Sequence, residues 1–144
     1  MQPIFHLSLP VRDLDEAVNF YVEVLGCQAA RAKDRFADVW FFGMQLTLHE
    51  RPEEVRVSAA GATRHFGVTL ERHEFDDLVA QLGARGTAWL APVTTDDAGL
   101  PTEQTKGKFA DPSGNVIEVK TYQDVTAALE FSPHPYPAAS ARGN

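Results

Sequence analysis

Apolar and polar positions in this chain follow two rhythms, and each rhythm occurs twice. Residues 4–9 alternate, with Phe5, Leu7 and Leu9 on one side and His6 and Ser8 on the other, which predicts a strand ending at Pro10. The period then becomes helical. Leu14, Val18, Tyr21 and Leu25 form one apolar stripe over 14–25. Asp13 is placed as N-cap with Glu16 as the reciprocal member of a capping box, and Gly26 is placed to stop the helix in a left-handed conformation. Strands are predicted at 37–42 and 44–50, turning at Gly43. Residues 51–63 read as a connector of mixed charge and small residues.

The same order of events restarts at residue 64. His65 opens a strand, and Phe75, Leu78, Val79 and Leu82 face inward from a helix over 74–82 that stops by Gly86. Strands at 108–110 and 116–121 flank the turn 111–115. His6 and His65 are 59 positions apart, and one added residue brings Gly26 onto Gly86. A repeated unit of this size cannot bury its apolar face alone, so the halves should share one core. The expectation is an α+β chain with one domain over 1–122, built from modules at about 1–50 and 64–122. Residues 92–104 carry Asp96, Asp97 and Gly99 without periodicity and are expected as a long loop, either a lid or a plain connection. Residues 123–144 read as an extension, disordered after about 131 because Pro, Ala and Ser dominate; His134 there needs no function.

Composition narrows the classes. A chain of 144 residues is large enough for one real core. A formal net charge of −7 argues against a nucleic-acid partner. No apolar run approaches a membrane span, and the N-terminus does not read as a signal peptide. Cys27 is the one cysteine, which fits a reducing cytoplasm, and it reads as a small apolar residue rather than a nucleophile.

Against this background His6, His65 and Glu118 stand out. A strand histidine taken alone is usually a satisfied core residue, and Glu118 alone would read as solvent-facing. Together they are two imidazoles at matched positions of a repeat and a carboxylate between Ile117 and Val119, a ligand set for a divalent metal with open positions. Gly43 and Gly114 are 71 positions apart, which sets Thr47 opposite Glu118 in the repeat. Gln45, Thr47 and His49 share one parity. His49 is open to three readings: a fourth ligand, a general acid or base beside the metal, or a packed histidine. A short turn at 111–115 places Lys108 across from Glu118, with Lys106 and Gln104 along the same edge. Lys108 there would bind an anionic substrate group, pair with Glu118, or, with the register slipped by one, face solvent.

At this point the chain resembles the vicinal oxygen chelate superfamily, the group of glyoxalases, bleomycin-resistance proteins and extradiol dioxygenases. The resemblance covers about residues 4–122. Its carriers are Phe5-His6-Leu7, the run Val11–Ala17, the run Phe20–Gly26, His65-Phe66-Gly67-Val68, and Asp111-Pro112-Ser113-Gly114-Asn115 followed by Glu118. Phe41–Gln45, His49 and Glu103-Gln104 resemble a branch known only as glyoxalase/dioxygenase-like. The resemblance implies paired βαβββ modules whose eight strands form an open cup, with His6, His65 and Glu118 as metal ligands. The usual fourth position falls on Thr47, where the glyoxalase I pattern has a carboxylate; this weakens a lyase reading and leaves a three-ligand site similar to the extradiol dioxygenases. Small members often form homodimers with swapped modules, so the resemblance leaves two places for His6, the site of its own chain or that of a partner chain.

Three functions follow as expectations. The first is an enzyme using iron, manganese, nickel or zinc on a small molecule with vicinal oxygens, with His49 moving the proton and Gln45, Thr47, Gln104 and Lys108 near the substrate. The second is a metal-free, ligand-sequestering protein of the bleomycin-resistance kind, with Trp40, Phe41 and Phe42 lining its cleft. The third, thiol transfer to an epoxide antibiotic, needs an anion pocket, for which only Lys106 and Lys108 speak.

Overall fold

The computed structural model describes residues 1–57 and 63–128. Strand β1 (His6–Val11) leads into α1 (Leu14–Asn19), which continues as one wider π-helical turn (Phe20–Val24), then β2 (Gln28–Lys33), β3 (Phe36–Phe41) and β4 (Met44–Glu50). A 3-10 turn (Pro52–Glu54) precedes the second module: β5 (Phe66–Thr69), α2 (Arg72–Ala84), β6 (Ala91–Asp96), β7 (Gln104–Ala110), β8 (Val116–Tyr122) and a short α3 (Val125–Ala128). The strands form two four-stranded sheets, ordered β1-β4-β3-β2 and β5-β8-β7-β6. In each, the opening strand lies parallel to the last and the other neighbours are antiparallel. This is βαβββ twice, consistent with the open cup.

The local chemistry explains where expectation and structure part. Asp13 caps α1 by accepting from the Glu16 N–H at 2.8 Å. The box stays half closed, because the Glu16 carboxylate accepts instead from Arg12 Nε at 2.7 Å. The complete capping box belongs to α2, where Glu71 and Glu74 exchange both bonds, so the helix starts at Arg72, two residues before the expected 74. Strand β2 had no expectation, and β6 takes up the first part of what read as a long loop. Both are edge strands with a register shift, at Ala29/Ala32 and at Ala91/Thr94. A bulge breaks the period of two on which recognition of a strand depends. Pro10 and Pro92 lie inside edge strands, where a missing N–H costs no ladder bond, so β1 runs on to Val11 instead of ending at proline.

One core joins the modules. Tyr21, Phe41, Leu46 and Leu48 from the first pack in the same cluster as Phe75, Leu82, Phe109 and Ile117 from the second. Tyr21 is fully buried, and its hydroxyl donates to Asp111 Oδ2 at 2.9 Å. Burial, then the Asp111 charge, pushes the Tyr21 hydroxyl well above its usual range. Asp111 also accepts from the Ser113 and Asn115 N–H groups, and Asn115 Nδ2 reaches both Asp111 and the Pro10 carbonyl. The turn 111–115 thus clasps the π-helical turn after α1, and β1, to the second module. The expected disordered tail, with His134, lies outside the described residues.

Candidate metal centre

Strand register places the candidate residues. Ser8 lies beside Thr47 across β1 and β4, and Gly67 beside Glu118 across β5 and β8. The sequence offsets of 59 and 71 therefore hold in space: Ser8 corresponds to Gly67 and Thr47 to Glu118. On β1 and β4, His6, Ser8, Gln45, Thr47 and His49 alternate with Leu7, Leu9, Leu46 and Leu48, which pack in or against the core. The polar set forms the cup face of the first sheet. Glu118, Lys120, Lys106 and Lys108 form that of the second.

Glu118 is 8 % exposed. Gly67 lets β5 lie against it: a Cβ at that position would stand 1.7 Å from the Glu118 carbonyl oxygen. His65, just before β5, brings Nε2 to 3.5 Å from Glu118 Oε2. Lys108 Nζ lies 3.5 Å from the same oxygen, and Lys120 Nζ 3.5 Å from Oε1. All three separations exceed the about 2.7–2.9 Å of a charge-assisted hydrogen bond, so the carboxylate is surrounded without being locked to one ammonium. Two ligand atoms about 2.1 Å from one ion at the tetrahedral angle stand about 3.4 Å apart. The His65–Glu118 separation fits that span, and the donor set, one imidazole and one carboxylate, suits a divalent transition metal. A cavity of about 200 Å³ opens beside them, lined by His65, Gly67, Thr69, Glu118 and Lys120. A larger one of about 330 Å³ runs between β1 and β5, among Leu7, Leu9, Phe66 and Val116. It touches His65 but faces away from Glu118, and the chemistry belongs to the smaller cavity.

The expected third ligand stands apart. His6 is exposed on the edge of the other sheet, with Nε2 3.3 Å from Ser8 Oγ. Among the described residues of one chain, no group of three His, Cys, Asp or Glu side chains gathers as a metal site. His49 faces the first cup but packs its ring on Phe36, centroids 5.9 Å apart.

Gln45 and Thr47, expected near substrate, are both engaged by a residue that sequence reasoning missed. Asp38 on β3 lies opposite Thr47, is 5 % exposed, and accepts from Thr47 Oγ1 at 2.6 Å, Gln45 Nε2 at 3.3 Å and Arg31 Nε at 3.2 Å. Burial pushes its carboxyl up, but the Thr47 and Gln45 hydrogen bonds and Arg31 outweigh that and hold it below the usual value. Its signal was present: a carboxylate between Ala37 and Val39, the same pattern that singled out Glu118. Lys120 was missed as well, although it shares the parity of Glu118. The register of Lys108 opposite Glu118 is as expected. Lys106 pairs with Asp96 at 2.8 Å, which raises its ammonium pKa. Gln104 lies at the far end of β7, about 13 Å along the strand from Lys108.

The three aromatics of the expected cleft are divided: Trp40 and Phe42 line a cavity of about 310 Å³ with Leu25, Cys27 and Gln28, while Phe41 lies behind it. Phe41 is 1 % exposed and packs into the core, whereas Trp40 and Phe42 are 40 % and 42 % exposed. Alternation on β3 separates Trp40 from Phe41, and Phe42 with Gly43 forms the positive-φ turn between β3 and β4. Burial pushes the Cys27 thiol up to about 12, which removes it as a nucleophile.

The comparisons with known proteins agree with this architecture. The family described as Glyoxalase/Bleomycin resistance protein/Dioxygenase superfamily matches residues 4–119, and the chain belongs to it. A solved glyoxalase/bleomycin resistance protein/dioxygenase from Alicyclobacillus acidocaldarius superposes with a TM-score of 0.80 at 35 % identity, covering 88 % of this chain and 96 % of that one. Metallothiol transferase FosB of Staphylococcus saprophyticus is 26 % identical over 121 residues, 84 % of this chain and 78 % of its own length. Glyoxylase I 4 of Arabidopsis thaliana is 25 % identical over 120 residues, 79 % of this chain and 67 % of its own. No helix among the described residues is long and apolar enough to cross a membrane.

Proposed function

We propose that this chain is a metal-dependent enzyme acting on a small molecule with vicinal oxygens, by dioxygenase-type or lyase-type chemistry. The observation that carries the reading is the His65–Glu118 pair, 3.5 Å apart beside a cavity and framed by a glycine that permits no side chain. Relatives named as a metallothiol transferase and a glyoxylase I support an enzyme rather than a structural module.

His65 and Glu118 hold two positions of the ion, and His6 supplies the third from the first sheet of a second copy. His6 is exposed and gathers into no ligand trio among the described residues of its own chain, which supports that arrangement. A divalent ion there would supply Lewis-acid or redox chemistry to two neighbouring substrate oxygens. His49, on the same cup face as His6, carries the proton. Thr47 in place of a second carboxylate favours the three-ligand, dioxygenase-type site over the lyase.

Elemental analysis of protein purified without chelators is the test. The parent should carry a divalent metal, iron, manganese, nickel or zinc. His65→Ala should lose affinity by more than the about 100-fold that removal of an outer-shell partner costs. Full metal occupancy in His65→Ala would remove the assignment, and a metal-free parent that binds ligand with undiminished affinity would favour a sequestering protein.

A further inference from the structure

The chain has four lysines, and three of them, Lys106, Lys108 and Lys120, sit on the cup face of the second sheet. Arginine supplies the exposed ion pairs elsewhere, with Glu16, Asp38, Glu50, Glu53 and Asp76. Lysine has therefore been concentrated in one place, on a chain whose net charge is −7. The placement works against the sheet, since Lys106 and Lys120 are direct cross-strand partners and like charges in that relation are destabilising.

The charges do not balance. Lys106 is matched by Asp96 at 2.8 Å. Lys108 and Lys120, with side chains 19 % and 32 % exposed, share one carboxylate, Glu118, from its two sides. One ammonium is already in excess. When Glu118 turns its lone pairs to a metal, both ammoniums lose their carboxylate, Lys120 keeping only the Tyr122 ring at 5.8 Å, and the local positive charge grows by that of the ion. Partly desolvated cations without a counter-charge are costly, and an anion restores the balance.

We propose that Lys108 and Lys120 seat an oxyanion group of the substrate, a carboxylate or a phosphonate, beside the metal, so that the substrate class is a small acid carrying vicinal oxygens. This rests on the metal reading above. Two compact point charges on separate strands suit a tetrahedral or planar oxyanion without demanding the fork geometry of arginine.

Ligand-observed NMR on the full-length chain loaded with Zn²⁺, using methylphosphonate and propionate as probes, tests the seat. Lys108→Met and Lys120→Met should each retain zinc and weaken the preferred probe by about tenfold, the size of one charged hydrogen bond. Lys33→Met, an exposed lysine on β2, should match the parent. Preference for methylphosphonate assigns a phosphonate, and preference for propionate a carboxylate. Parent-like binding by both variants at full zinc content overturns the seat, as does a zinc-loaded parent that binds neither probe. If the parent takes up none of zinc, iron, manganese and nickel, the metal reading fails separately, and the seat is read in the metal-free chain. There Glu118→Gln should release both ammoniums and tighten methylphosphonate by about tenfold; unchanged or weaker binding overturns it.

Discussion

Glu118 and Asp38 are the buried carboxylates that β8 and β3 carry into the cup, and they are held in different ways. Asp38 is satisfied by a short hydrogen bond from Thr47 at 2.6 Å and longer ones from Gln45 and Arg31. Glu118 has two ammonium nitrogens, of Lys108 and Lys120, and one imidazole nitrogen, of His65, each at 3.5 Å. The first arrangement stores stability; the second leaves lone pairs for a ligand. Thr47→Val should therefore cost about 1.5–3 kcal/mol at neutral pH, read from urea unfolding, by removing a hydrogen bond to a buried charge. Because Asp38 titrates below its ordinary 3.8 in the folded chain, its stabilisation is fully present above that value and is lost as pH falls through the folded pKa. The gap between Thr47→Val and the parent should narrow over that acid range; a gap that stays constant would show that the Asp38 charge is not what Thr47 supports.

At the scale of elements, the site depends on how closely two parallel strands approach. Gly67 is the element-level device. Its Cβ would overlap the Glu118 carbonyl, with no flexible side chain to yield, so Gly67→Ala must move β5 off β8. We expect a loss of about 1–3 kcal/mol, the range of core overpacking, measured by urea unfolding together with reduced zinc uptake. A variant with parent-like stability and metal content would show that β5 adjusts freely and that His65 is not positioned by this contact. Its counterpart in the first module is Ser8, which bears a side chain and bonds His6. The two half-sites are thus related in register but not in strand approach.

At the scale of the whole molecule, the described part of one chain has two cup faces whose candidate ligands do not meet. The clasp of Asp111 with Tyr21 and of Asn115 with Pro10 fixes the modules in that relation. If a second copy completes the site, His6→Ala and His65→Ala chains, each deficient alone, should regain metal when mixed and reassociated. A mixed dimer would hold one intact site, so metal content should return to about one quarter of the parent level on statistical mixing, measured by elemental analysis with size determination in solution. No recovery from a mixed dimer would place all three ligands in the same chain.

Much of this was legible along the chain. Period-two and helical stripes located β1, β4, β8 and the two main helices, and the spacing of two histidines and two glycines gave the repeat and the register of Lys108 and Thr47 against Glu118. Those features are local or depend on counting alone. Strands β2 and β6 were not legible, because bulges broke their alternation, and neither was the role of Asp38, whose meaning lies in partners on β2 and β4. The sequence by itself determined the doubled α+β plan, the superfamily and which side chains could serve as ligands, since alternation assigns a face to each residue. Only the tertiary structure decided which ligands meet: a strand's face says where a side chain points, but distance depends on how separate sheets are docked, and that docking leaves His65 beside Glu118 and His6 on the outside edge.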